Sequence, residues 1–178
     1  GIKNITRGEG GCIVSNDEAV LEKERNGRLL SVENDSVNRA LGKRSWVFDV
    51  KEQGWRYHMS NIMAAIGRVQ LKRIEEFTQV RRNIATRYSS AFEHNDNIGV
   101  LPHDYRSVVP HIYPIILLGN LDRDDLRLYL ADNGIETGIH YFPNHKLSYF
   151  KDNSVLTNTD FISERLLTLP IHNDLTEN

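Results

Sequence analysis

Lys3 heads a glycine-rich segment, Lys3-Asn4-Ile5-Thr6-Arg7-Gly8-Glu9-Gly10-Gly11. A lysine amine condenses with aldehydes and can then shuttle protons. Glycines beside it let the backbone approach a bound group closely. On this segment alone, a surface lysine ahead of a glycine-rich turn is the commoner reading. His140 and His145 form a second group of interest. A metal pair would need further ligands, and neither a nearby cysteine nor a clear third donor is present. Each histidine therefore reads either as a satisfied structural residue or as a contact to substrate. Tyr141 and Phe142 between them read as loop packing, and His111 and His172 as packed polar residues. The single cysteine, Cys12, reads as a small buried core residue rather than a nucleophile.

Composition narrows the class. The chain has 178 residues, 39% apolar and 26% charged, which suits a folded domain with a buried core. A formal net charge of −2 supplies no bulk field for nucleic acid or an anionic membrane surface. One cysteine leaves no internal disulfide and favours a reducing compartment. No apolar run approaches a membrane span, and no signal-peptide pattern is present, so the expectation is a cytoplasmic protein. The start, without methionine and opening into a motif, suits a partial chain.

Elements must hold these residues in place. Gly11 to Ser15 has the β-branched pair Ile13-Val14 of a short strand. A charged helix is expected from about Asp17 to Asn26, stopped at Gly27. Residues 28–53 read mostly as loop, with Trp46, Phe48 and Trp55 expected to anchor it on a core. From Asn61 to Phe92 apolar residues recur at helical spacing behind a Ser60 cap. Such a helix would span roughly 45–50 Å, long enough that it should bridge two bodies or bend. Its Lys, Arg and Glu residues fit a solvated flank. A strand is expected through His111 to Leu118, with Pro114 favouring an edge or bulge. Leu121 to Asn133 is an amphipathic helix with aspartates suited to its positive end. Ile135 to Tyr141 reads as another strand and Asp160 to Leu167 as a short helix, giving a small α/β layer.

Four segments, in order, resemble one family. The Lys3–Gly11 segment resembles the lysine motif of the DegT/DnrJ/EryC1/StrS sugar aminotransferases. The stretch from Gly54 to Gly67 is similar to that family's aromatic loop and the start of its long helix. Gly134 to His145 is similar to its small-domain strand and substrate-side loop, and Leu167 to Thr176 to its near-terminal Leu-Pro-x-His segment. Together they cover essentially the whole chain, though only the latter half of a full family member.

The resemblance implies the C-terminal part of a fold-type-I, pyridoxal-phosphate-dependent transferase of α/β class. Residues 1–60 would be the end of the large cofactor domain, 61–95 the connecting helix and 96–178 a small α/β domain. The implied activity transfers an amino group, with glutamate as donor, to a nucleotide-linked 4-keto-6-deoxy sugar, as in lipopolysaccharide or O-antigen assembly. The implied partner is a second copy of the chain, in a homodimer with shared active sites. By this comparison Lys3 carries the cofactor and acts as the proton-transfer base. His58 stands where the family often has an asparagine or arginine reaching the neighbouring subunit's cofactor phosphate, and a histidine can donate there. His140 and His145 fall in the substrate-side loop. Arg7 stands where a small residue is common. The family's acid facing the pyridine nitrogen, ring-stacking residue and phosphate donors would all lie upstream of Gly1. A second reading is therefore an inert fragment that folds or dimerises without cofactor; a dehydratase of the same superfamily is a third. Unpaired sheet edges and apolar faces are expected to be exposed and to promote self-association.

Overall fold

The protein is described as a computed structural model that covers residues 3–33, 35–43, 46, 48–151 and 154–176. Gly1 and Ile2, which begin the chain ahead of Lys3, lie outside the described residues. The chain divides into two compact units, one of Gly1–Ile5 with Lys72–Asn178 and one of Thr6–Leu71.

The first unit is built on a three-stranded antiparallel sheet ordered β1 (Ile98–Val100), β2 (Tyr113–Leu117), β3 (Leu166–Leu169). The β2 strand alternates, so Tyr113, Ile115 and Leu117 turn inward while Pro114 and Ile116 are half-exposed. These three join Leu167, Leu169 and Ile171 in one core with Ala85 of helix α4 (Ile74–Phe92). Leu126 and Leu130 of α5 (Arg123–Asp132) pack against the same cluster. Each large side chain buried there contributes about 1.5–3 kcal/mol.

Pro114 sits in the central strand, not at an edge as expected. The reason is local. Leu117 donates its backbone N–H toward β3, to Arg165, and Leu118 donates toward the other side, to Asn97. Alternation then aims the position of Pro114's missing N–H toward the β1 side. There β1 has already ended, since its last pair is Val100 with Ile115. Pro114 is central in order but unpaired on the side that matters.

Two further expectations are corrected. Residues 135–141 make only an isolated bridge, in which Gly138 and Thr168 exchange backbone hydrogen bonds of 2.9 and 2.7 Å. The helix expected through Leu167 instead ends early, as α6 (Thr157–Ser163), because Leu166–Leu169 is needed as β3 in the core. The α5 helix starts as read: Asp122 accepts from the backbone N–H groups of Asp124 and Asp125.

In the second unit, α1 (Glu18–Gly27) begins at the Asp17 cap, and a short α2 (Asp35–Ala40) lies in the stretch read as loop. Single bridges join Leu29 to Arg56 and Val32 to Val50. A Cβ at Gly54 would collide with the backbone of Leu30 and Ser31, so only glycine fits. The Gly11–Ser15 strand does not form: no described residue pairs with it, and Val14 is 88% exposed. Cys12 is likewise exposed, not buried. Trp46, Phe48 and Trp55 are exposed rather than buried; Trp55 stacks on Tyr57 at 6.1 Å between ring centroids.

The long helical stretch is two helices, α3 (Asn61–Lys72) and α4, interrupted at Arg73 (φ −98°, ψ 5°). Ser60 caps α3 by accepting from the Met63 N–H at 3.2 Å. Arg7 has a structural place too. Its side chain runs against Gly67 of α3 and under Gly10, where Cβ atoms would come within 3.3 and 3.0 Å of it, and Nη1 reaches the Met59 sulfur.

Candidate functional site

The lysine segment enters the first unit at its head. Lys3 is exposed, and its Nζ lies 3.4 Å from Nε2 of His111, two residues before β2 begins. The neighbouring Asn4 donates its amide to the Val109 carbonyl at 3.5 Å and buries an Oδ1 that has no hydrogen-bond partner among the described residues. The segment is thereby tied along residues 109–111.

Arg81 of α4 fixes the other side of that strand entry. Its guanidinium, 3% exposed, donates to the carbonyls of Ile171 at 3.0 Å and of Pro110 and His111 at 3.5 Å. Burial lowers its pKa, but a guanidinium keeps its charge in proteins. His111 is pushed below the ordinary histidine range, first by burial and then by electrostatic repulsion from Lys3, Arg81 and His140. A neutral imidazole beside a lysine amine follows.

His111 and His140 line one open cavity of about 270 Å³, with Glu136, Thr137, Thr168 and Pro170. His140 shares a hydrogen bond between Nδ1 and the Thr168 hydroxyl at 3.0 Å. Its ring folds back over Gly138, where a Cβ would come within 2.7 Å of it. Glycine at 138 is what lets His140 lie there. The Thr137 hydroxyl is buried without a hydrogen-bond partner among the described residues. Amine, imidazoles, hydroxyls and one carboxylate thus gather along the strand entry, a set suited to a polar ligand bearing a carbonyl.

Other predicted residues fall elsewhere. His145, in a single 3-10 turn (Asn144–Lys146), pairs through Nε2 with Asp160 at 3.0 Å, and Lys146 reaches the same carboxylate at 2.7 Å. That leaves Nδ1 of His145 for any ligand. His58 is exposed and belongs to the second unit. Tyr141 and Phe142 are exposed rather than packed, and so is His172. His111, read as a packed polar residue although it matches a family position, instead stands beside the Lys3 amine.

The model of the DegT/DnrJ/EryC1/StrS aminotransferase family matches residues 1–178. The chain is 29% identical to a UDP-4-amino-4,6-dideoxy-N-acetyl-beta-L-altrosamine transaminase of Campylobacter jejuni, over 98% of this chain and 46% of that one. Among solved structures it is similar to the sugar aminotransferase CalS13 of Micromonospora echinospora, at 26% identity, a TM-score of 0.82, and coverage of 98% and 46%. It is also similar to a Streptococcus pneumoniae protein solved in a PLP form, at 27% identity, a TM-score of 0.78, and coverage of 98% and 45%. The chain spans about half the length of the curated relatives it matches.

Proposed function

Because this chain belongs to the DegT/DnrJ/EryC1/StrS aminotransferase family, we propose that it carries the lysine side of a sugar aminotransferase site. The reaction replaces the 4-keto oxygen of a nucleotide-linked 6-deoxy sugar with an amino group from glutamate, which leaves as 2-oxoglutarate. Deoxysugar supply to a surface polysaccharide is the setting such a product suits. The aminotransferases of this family depend on pyridoxal phosphate, and the donor set fits it: an exposed primary amine is what its aldehyde requires. Bound, the cofactor would supply an electron sink for the carbon that loses its proton.

The placement of some of these residues supports roles for them. The observation that carries the reading is the exposed Lys3 amine held 3.4 Å from His111, a residue that lines one cavity with His140. Lys3 would hold the cofactor and move the proton. His140, steadied by Thr168, would offer Nε2 to substrate, and His145 its Nδ1. His58 would donate to the phosphate of a cofactor bound by a second copy of the chain, so that the working unit would be a dimer. In domain terms, residues 1–60 close the cofactor domain, 61–95 connect, and 96–178 form the small domain.

One observation favours a second reading, an inert fragment that folds or dimerises. Residues 6–71 leave large apolar side chains outside, with Val14 88% and Trp46 82% exposed. Amino transfer separates the two. Protein supplied with pyridoxal phosphate, ¹⁵N-glutamate and a UDP-linked 4-keto-6-deoxy sugar should yield an amino sugar carrying the heavy nitrogen. Lys3→Ala should yield none. A folded chain that makes no labelled product favours the inert reading.

A further inference from the structure

We propose that His111 is the positioning residue for the Lys3 amine: its Nε2 accepts a hydrogen bond from Nζ and ties the amine's reactivity to the protonation of the imidazole. The catalytic meaning of this pair rests on the reading of Lys3 as the imine-forming amine. The pair itself rests on geometry. The two nitrogens are 3.4 Å apart, and they are the side-chain groups that meet where the lysine segment crosses the entry to β2.

Both partners are held from behind. Asn4, next to Lys3, is bonded to the Val109 carbonyl, two residues before His111. Arg81 receives the carbonyls of Pro110 and His111, so the His111 backbone cannot drift without breaking a buried guanidinium's contacts. An amine on four methylenes is otherwise free to swing, and one fixed acceptor is what gives it a direction.

The charges facing His111 make the contact switch with pH. Lys3 from the N-terminal segment, Arg81 from α4 and His140 from the loop after α5 are the basic groups that act on it, and Glu136 is the acid lining the same cavity. Burial and these neighbours favour the neutral ring. With Nδ1 protonated, neutral His111 presents a lone pair at Nε2, and a lysine ammonium, which only donates, is its complement. Once the ring gains a second proton, both groups are cations and the contact turns repulsive. Lys3 is then freed from the acceptor that held it.

The test needs no cofactor. Arylation of Lys3 by trinitrobenzenesulfonate, followed by peptide mass spectrometry across pH 4.5–9 (a range of about four units around the histidine value), reads the amine directly. As pH falls through the His111 titration, Lys3 should label about fivefold faster than the higher-pH trend extrapolates, the effect of a unit charge at contact distance in a watery site. His111→Gln still accepts a hydrogen bond but cannot titrate, so the step should vanish. Should His111→Gln fail to fold, Lys3→Gln gives a second reading, because Lys3 is exposed and leaves the core untouched. By NMR, the His111 midpoint should rise by roughly half a pH unit in Lys3→Gln as a positive neighbour is lost. A step that disappears in His111→Gln supports the pair even if pyridoxal phosphate fails to attach, a failure that sinks only the cofactor reading. Identical labelling profiles, or an unmoved midpoint, overturn the pair.

Discussion

Residues 72–178 and residues 6–71 solve the folding problem differently. The former bury Tyr113, Ile115, Leu117 and Leu167 almost completely around one sheet. The latter bury Ser31 and Gly54 but keep Ile13, Trp46, Phe48, Val50 and Ile62 outside. What holds the second unit is a capped helix, two bridges and exposed ion pairs such as Lys51–Glu33 and Arg25–Glu18. Such pairs contribute about 0–1 kcal/mol each. A set of elements can be well formed locally and still lack the hydrophobic term that dominates folding. The candidate amine is tied to the unit that has a core.

That contrast can be broken by mutation, and the largest effect should come from the core. Leu167→Ala, at a residue 0% exposed, should cost about 2–5 kcal/mol in urea unfolding of the first unit. Next comes Arg81→Ala, which removes three carbonyl contacts around the lysine site and should cost about 2 kcal/mol by the same measurement. It should also loosen Lys3, read as a lost pH step in the labelling profile. In the second unit Val14→Ser should change unfolding by less than about 0.5 kcal/mol and improve solubility. A loss on the scale of Leu167→Ala would mean that residues 6–71 do have a core.

The smallest effect tests the His145–Asp160–Lys146 cluster. The carboxyl of Asp160 is held below its ordinary value of 3.8, first by the Lys146 hydrogen bond and also by His145. A depressed folded pKa stabilises above the unfolded value and is lost as pH falls through the folded one. The 3-10 turn should therefore be fully supported above about pH 5 and should loosen below 3.8. The amide signals of Asn144–Lys146 would report it, and Asp160→Asn should remove the pH dependence.

Much of this was legible in the sequence where the signal was local. Ser60 was legible as a cap because a cap needs only its own next turn, and Asp17 and the aspartates after Leu121 marked two further helix starts. The family of the lysine segment was legible from motifs. What depended on a distant partner was not. Leu166 and Leu167 read as the end of a helix until Tyr113–Ile116 claims Leu166–Leu169 as a strand. Ile13-Val14 reads as a strand, yet no described residue supplies the ladder it would need. His111 reads as packing until Lys3, 108 residues earlier, is found against it. The break at Arg73 had no glycine or proline to mark it.

Lys3 is the residue on which the functional reading turns, and covalent capture tests it most directly. The folded protein is incubated with pyridoxal phosphate, reduced with borohydride, digested and analysed by mass spectrometry. The expected result is one reduced adduct on the peptide containing Lys3, absent in Lys3→Ala. Equal incorporation in Lys3→Ala, or an adduct spread over the other lysines, would contradict the assignment.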